Sequence, residues 1–144
     1  MTKHEDMFAL RNDPNVHYNC AQAVLIPFAE DMGITREQAK DIAANFGGGM
    51  GCGSVCGAVT GALMAMGGLN IPTEKRAELL RQFQNENGTL NCAELLKAAA
   101  ERGETKKEHC DRMVEQCLNF VCELTEKEQI QNYGNHDSNF GTGA

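Results

Sequence analysis

Residues 42–73 read IAANFGGGMGCGSVCGAVTGALMAMGGLNIPT and carry no charged side chain. A membrane-spanning reading fails on detail. Gly47–Gly53 is a glycine-rich break, and the dense apolar part, Val55 to Leu69, is 15 residues long, short of the ~20 that cross a bilayer. The stretch therefore reads as the buried central helix of a globular protein, from about Ser54 to Met66. Gly53, Gly57, Gly61 and Ala65 recur every fourth residue, so on a helix they form one strip with about 40° of drift per step. Glycine inside a helix costs roughly 1 kcal/mol against alanine. Close packing of a neighbouring backbone is the default compensation for that cost, and a bound centre pressed on the strip is the alternative.

Outward from this helix the chain reads as further helices with start and stop signals. Residues 4–11 form a short first helix that ends before Asp13-Pro14. Asn19 caps a second, running to about Met32 with Gly33 at its end; Pro27 sits too deep for a first-turn proline and should kink or split it. Its inward stripe is Cys20, Ala23, Val24 and Phe28. Thr35-x-x-Gln38 and Thr105-x-x-Glu108 are capping boxes. The first opens a helix with Ala39, Ile42, Ala43 and Phe46 on one face. The second opens a long helix to about Leu124 with Met113, Val114, Cys117, Phe120 and Val121 inward. Between them lie a helix from Thr73 to Gly88, with Ala77, Leu80 and Phe83 inward, and one from Asn91 to Gly103. No period-two strand run and no interior linker is present. The reading is all-α: one compact bundle of six to seven helices over 1–128, followed by a polar, flexible tail over 129–144.

The chain has 144 residues, and its 13 Lys+Arg against 20 Asp+Glu give a net charge of −7. That sign argues against nucleic acid and against anionic membrane surfaces as partners. The absence of tryptophan argues against a base-stacking platform. The first ten residues, MTKHEDMFAL, contain no apolar signal region, which points to a cytoplasmic protein. Seven cysteines in a reducing compartment point to thiol chemistry or metal ligation rather than a disulfide framework. A homo-oligomer is compatible with the composition; a redox partner protein is expected, of no identity the sequence gives.

The glycine loop before the central helix invites a phosphate-binding reading, since bared N–H groups can hold an anion. The dinucleotide fingerprint needs a preceding strand and G-x-G-x-x-G spacing. Here a helix precedes the loop, Gly51-x-Gly53-x-x runs into Cys56, and no Gly-Lys-Ser/Thr follows. The loop reads instead as backbone that needs positive φ and close approach.

Cys20, Cys56 and Cys92 lie at helix starts, where bared amides and the positive dipole end favour a thiolate. Cys56 is on this ground the first candidate nucleophile. Cys110 lies a turn and a half into the last helix, so four helices can bring four sulfurs to one end of a bundle. Cys117 and Cys122 sit among apolar neighbours and read as core residues. Cys110 and Cys117 share a face but lie about 10.5 Å apart along the axis, too far for a disulfide. His109 points about 100° away from Cys110 and reads as a surface histidine, at most an outer ligand.

Together, Tyr18-Asn19-Cys20-Ala21-Gln22, Phe46-Gly47-Gly48-Gly49-Met50-Gly51, Cys56-Gly57-Ala58-Val59-Thr60-Gly61-Ala62, Asn91-Cys92 before Leu95-Leu96, and Cys110 near Val114 resemble the redox-active protein family named for a C…GCAxxG…C…C pattern. The resemblance runs from about residue 16 to 121. It places the family's four cysteines on Cys20, Cys56, Cys92 and Cys110 and leaves Cys52, Cys117 and Cys122 as extras. It implies a redox class rather than a particular reaction. The chain is also similar to the iron–sulfur part of split-Soret cytochromes, which implies a cysteine-ligated cluster. It has no C-x-x-C-H, so no haem is expected.

Three readings follow. The first is a helical protein holding an iron–sulfur cluster or another thiolate-bound metal through Cys20, Cys56, Cys92 and Cys110, as an electron carrier or redox sensor. Gly49, Gly51 and Gly57 would let backbone approach that centre, and Cys52 would be a reserve ligand. The second is a thiol–disulfide protein in which Cys56 attacks and Cys20 or Cys92 resolves. The third is a non-redox helical module with structural cysteines or zinc.

Overall fold

A computed structural model describes residues 1–139, with side chains to residue 128. Seven α-helices are present among the described residues: α1 (Lys3–Arg11), α2 (Cys20–Leu25), α3 (Arg36–Ala43), α4 (Gly57–Gly68), α5 (Arg76–Asn87), α6 (Cys92–Glu101) and α7 (Lys106–Asn139). They contain no strand beyond one isolated antiparallel bridge, Val55 to Asn91. Among the described residues, no helix is long and apolar enough to cross a membrane.

The helices begin where their local chemistry starts them. Asn19 Oδ1 accepts from the Gln22 amide, and Gln22 Oε1 accepts from the Asn19 amide. Thr35 with Gln38 and Thr105 with Glu108 close the same reciprocal box. After Leu25 the chain tightens into 3₁₀ turns at Ile26–Phe28 and Glu30–Met32 and ends on left-handed Gly33. The split falls at Pro27, which has no amide to continue the α-helical ladder.

Helix α4 is the hub, packed most extensively on α2 and also on α7. Ala58, Val59, Ala62 and Ala65 are fully buried. A Cβ built on Gly61 would stand 2.7 Å from the Ala21 carbonyl oxygen and 3.0 Å from Ala21 Cα. One on Gly57 would stand 2.9 Å from the Phe46 carbonyl oxygen. The small-residue strip is thus the surface on which α2 lies against α4. Its first member differs from expectation: α4 starts at Gly57, not Ser54, and Gly53 lies outside it at φ 69°. Cys56 becomes the cap residue rather than part of the helix.

Met113, Val114, Cys117, Phe120 and Val121 of α7 are buried, as their spacing predicts. Elsewhere the expected faces shift. Ile42 is 51% exposed and Ala77 is exposed; the inward residues of α5 are Leu79 and Phe83. Helix α7 runs past Leu124 to Asn139; no proline interrupts it, and Gly134 lies within it. The expected flexible tail over 129–144 falls on side chains, and from residue 140 on backbone, outside those described.

Candidate functional site

Cys20, Cys56, Cys92 and Cys110 line one cavity of about 370 Å³ at the end of the bundle where α2, α4 and α6 begin. Cys20 is the first residue of α2 and Cys92 the first of α6. Cys110 enters from the second turn of α7. Leu95, Leu96 and Met113 supply an apolar wall.

Two backbone devices place the sulfurs. The Val55–Asn91 bridge runs through the Cys56 amide, which donates to the Leu90 carbonyl at 2.9 Å, and the Cys92 amide, which donates to the Ser54 carbonyl. It ties the entries of α4 and α6 together just where their cysteines emerge. On the other side, Asn19 caps α2 and its Nδ2 donates to the Ala44 carbonyl at the end of α3. Gly47 packs so closely that a Cβ there would stand 2.5 Å from Asn19 Cβ.

Within the glycine loop, Gly48 to Gly51 all have φ between 61° and 72°, including the exposed Met50. That run of left-handed residues folds the loop back under the cavity. Gly48 and Gly57 line it. Gly49 lies beneath it; a Cβ there would meet Cys92 Cβ at 2.8 Å and Ser54 N at 2.5 Å. Gly51, expected against a bound centre, instead faces open space and does not line the cavity. Cys52 is exposed, with Sγ 3.5 Å from the Gly49 carbonyl oxygen, and it too lies outside the lining. Cys117 is buried in the core. Cys122 lies in the field of Lys3, Glu126 and Asp31, among other surroundings.

The electrostatics reverse one expectation. Burial pushes the Cys56 thiol up to about 11, although the Ala58 and Val59 amides at the helix start pull the other way. Desolvation outweighs the helix terminus, and Cys56 is a protonated thiol at neutral pH rather than a ready thiolate. The low-lying sulfur is Cys110, drawn down to about 7 by a hydrogen bond from the Cys20 thiol, against burial and with help from Arg11 and Lys106. Cys20 is raised by the same hydrogen bond and by its burial. The two thiols shift one another's titration in opposite directions. Cys92 is raised by burial and by Cys110.

Several residues of the site carry no signal in the sequence. The Arg11 side chain, 7% exposed, reaches the cavity from α1; its Nε donates to Asp111 Oδ1 at 2.6 Å and its Nη1 to the Tyr18 carbonyl at 2.9 Å. His109 is not a surface histidine. It is 3% exposed, it borders the cysteine cavity, and its Nδ1 lies 3.6 Å from Glu104 Oε1 without a hydrogen-bond partner. Lys106 and Lys107 also line the opening; their closeness to Cys110 along the chain is the one cue the sequence offers.

The family model described as "Putative redox-active protein (C_GCAxxG_C_C)" matches residues 18–124. No curated protein and no solved structure matches this chain.

Proposed function

Because the chain belongs to the C_GCAxxG_C_C family of putative redox-active proteins, we propose that it works as a redox protein through Cys20, Cys56, Cys92 and Cys110, which together hold an iron–sulfur cluster or another thiolate-bound metal. The observation that carries this reading is that cysteines from four separate segments line one cavity. The donor set fits such a centre. Four sulfurs suit iron–sulfur or soft-metal ligation, and the cavity of about 370 Å³ has room for a group several atoms across. Among the described residues, no three metal-binding side chains stand close enough to grip a single ion.

An iron–sulfur cluster, when bound, supplies one-electron chemistry. The chain's own contribution is electrostatic. Arg11 and Lys106 offset gathered thiolate charge, and the Ala58 and Val59 amides at the helix start favour the Cys56 thiolate. Electron transfer or redox sensing in the cytoplasm is the role we assign. Anaerobic purification tests it: a brown protein with iron and acid-labile sulfide, lost on Cys→Ser change at each of the four but not at Cys52, Cys117 or Cys122. A chain that stays colourless and binds neither iron nor sulfide after reconstitution overturns the cluster, and metal analysis then identifies zinc.

A second reading is favoured by Cys20 and Cys110, which line the same cavity and are shifted in opposite directions, Cys110 down to about 7. In it the chain exchanges disulfides, with Cys110 as the attacking sulfur and Cys20 as the resolving one, in place of Cys56. Peptide mapping after mild oxidation tests this reading by looking for a Cys20–Cys110 link.

A further inference from the structure

Among the described residues, His109 Nδ1 is the one buried side-chain nitrogen or oxygen without a hydrogen-bond partner. The residue is 3% exposed and forms part of the wall between two cavities. One is the cysteine cavity. The other is bordered by Glu104, Arg102 and Arg112. A polar group that is both buried and unpaired is costly, so a ring held in this place calls for a role beyond packing.

Glu104 decides which ring nitrogen is available. Its Oε1 stands 3.6 Å from His109 Nδ1, just beyond hydrogen-bond reach. Arg112 and Arg102 hold the same carboxylate at 2.9 and 3.1 Å and keep it an acceptor. A neutral imidazole carries a single N–H, and the nitrogen beside a carboxylate is the one that carries it. Nε2 is then left with a bare lone pair, the form in which histidine ligates metals. Metal-bound histidines characteristically direct their second nitrogen at a carboxylate or a carbonyl. The succession of arginine, carboxylate and imidazole beside a cysteine-lined cavity is that of a supported metal ligand.

We propose that His109 Nε2 is a fifth protein ligand, a nitrogen donor, to the iron–sulfur cluster held by Cys20, Cys56, Cys92 and Cys110. The inference rests on the cluster reading given above. His109 directly precedes Cys110 on α7, and both border the same cavity, so one turn of helix offers it a nitrogen and a sulfur. His17 borders that cavity too, but it is exposed and lacks the packing that fixes His109. A fifth donor gives one iron a coordination number above four. The four cysteines still retain the cluster without it, so His109 tunes the centre and does not carry its assembly.

The test loads the full-length chain anaerobically with iron and sulfide, reduces it, and records pulsed electron paramagnetic resonance with and without ¹⁵N-histidine labelling. The expected result is the coupling of a directly bound imidazole nitrogen, altered by the label. The other histidines are His4, His17 and His136. A chain carrying His4→Ala, His17→Ala and His136→Ala should keep the coupling in full. In His109→Gln it should vanish, with iron and sulfide content unchanged and the reduction potential shifted. Should His109→Gln fail to fold, the triple variant decides, since it leaves His109 as the sole histidine. A loaded native chain without histidine coupling overturns the fifth ligand and leaves the cysteine-held cluster standing. So does a coupling that disappears from the triple variant or persists in His109→Gln. If the native chain takes up neither iron nor sulfide, the cluster reading falls and the histidine ligand falls with it.

Discussion

Val55 and Asn91 form a single antiparallel bridge, and the residues that follow them are Cys56 and Cys92. The bridge fixes two of the four sulfurs by backbone alone. Asn91 also accepts from the Glu94 amide at 2.9 Å and so caps α6. Asn91→Ala should remove that cap at a cost of about 1 kcal/mol and let the first turn of α6 fray. Alkylation at fixed pH, read residue by residue, should then accelerate at Cys92 and not at Cys110. Equal acceleration at both would mean that the cap holds the whole cavity and not one wall of it.

The thiol of Cys20 is the largest influence holding Cys110 near 7. In Cys20→Ala the pH midpoint for Cys110 alkylation should move up toward the ordinary 9.0 of a thiol, with burial adding to the rise and Arg11 and Lys106 opposing it. An unchanged midpoint would show that the two thiols do not shift one another's titration.

Cys56 links burial to alkaline stability. Its thiol is raised from 9.0 to about 11 in the fold, so the folded state holds the proton more tightly than the unfolded one. That contribution is complete below 9.0 and is lost as the pH rises through about 11. The stability difference between the native chain and Cys56→Ala should shift against the native chain by about 3 kcal/mol across this window. Chemical denaturation at matched pH values measures it; a flat difference would place Cys56 in contact with solvent.

The glycines of α4 should divide into two kinds. Gly61 has no room for a Cβ beside Ala21, so Gly61→Ala should destabilise by about 1–3 kcal/mol, and Gly61→Leu by more. Gly67, on the same helix, has nothing within 4 Å of its position. Gly67→Ala should stabilise by about 0.4–1 kcal/mol through the unfolded chain. Thermal melts of the pair decide whether α2 rests on this strip.

These contrasts show what a one-dimensional reading reaches. The caps at Asn19, Thr35, Asn91 and Thr105 were legible because a side chain and an amide three residues away complete each one. The α4 strip was legible because its period is short. The gathering of Cys20, Cys56, Cys92 and Cys110 came from their places at or near helix starts and from family resemblance. Which sulfur is acidic was not legible. That depends on the depth at which Cys56 is buried and on Cys20 meeting Cys110, both of which arise only when α2, α4 and α7 pack. Arg11 and the buried His109 were missed for the same reason, since neither lies in a local pattern.

The Cys20–Cys110 pairing joins the start of the second helix to the last one. A bond between them would close a loop of about 90 residues, and loops of that length strengthen a fold by about 4–5 kcal/mol. The electron count of one sulfur pair would then also set how often the chain opens to a protease. Reduced molecules would turn over quickly and oxidised ones would persist, so the abundance of the protein could carry a record of the redox conditions it has met.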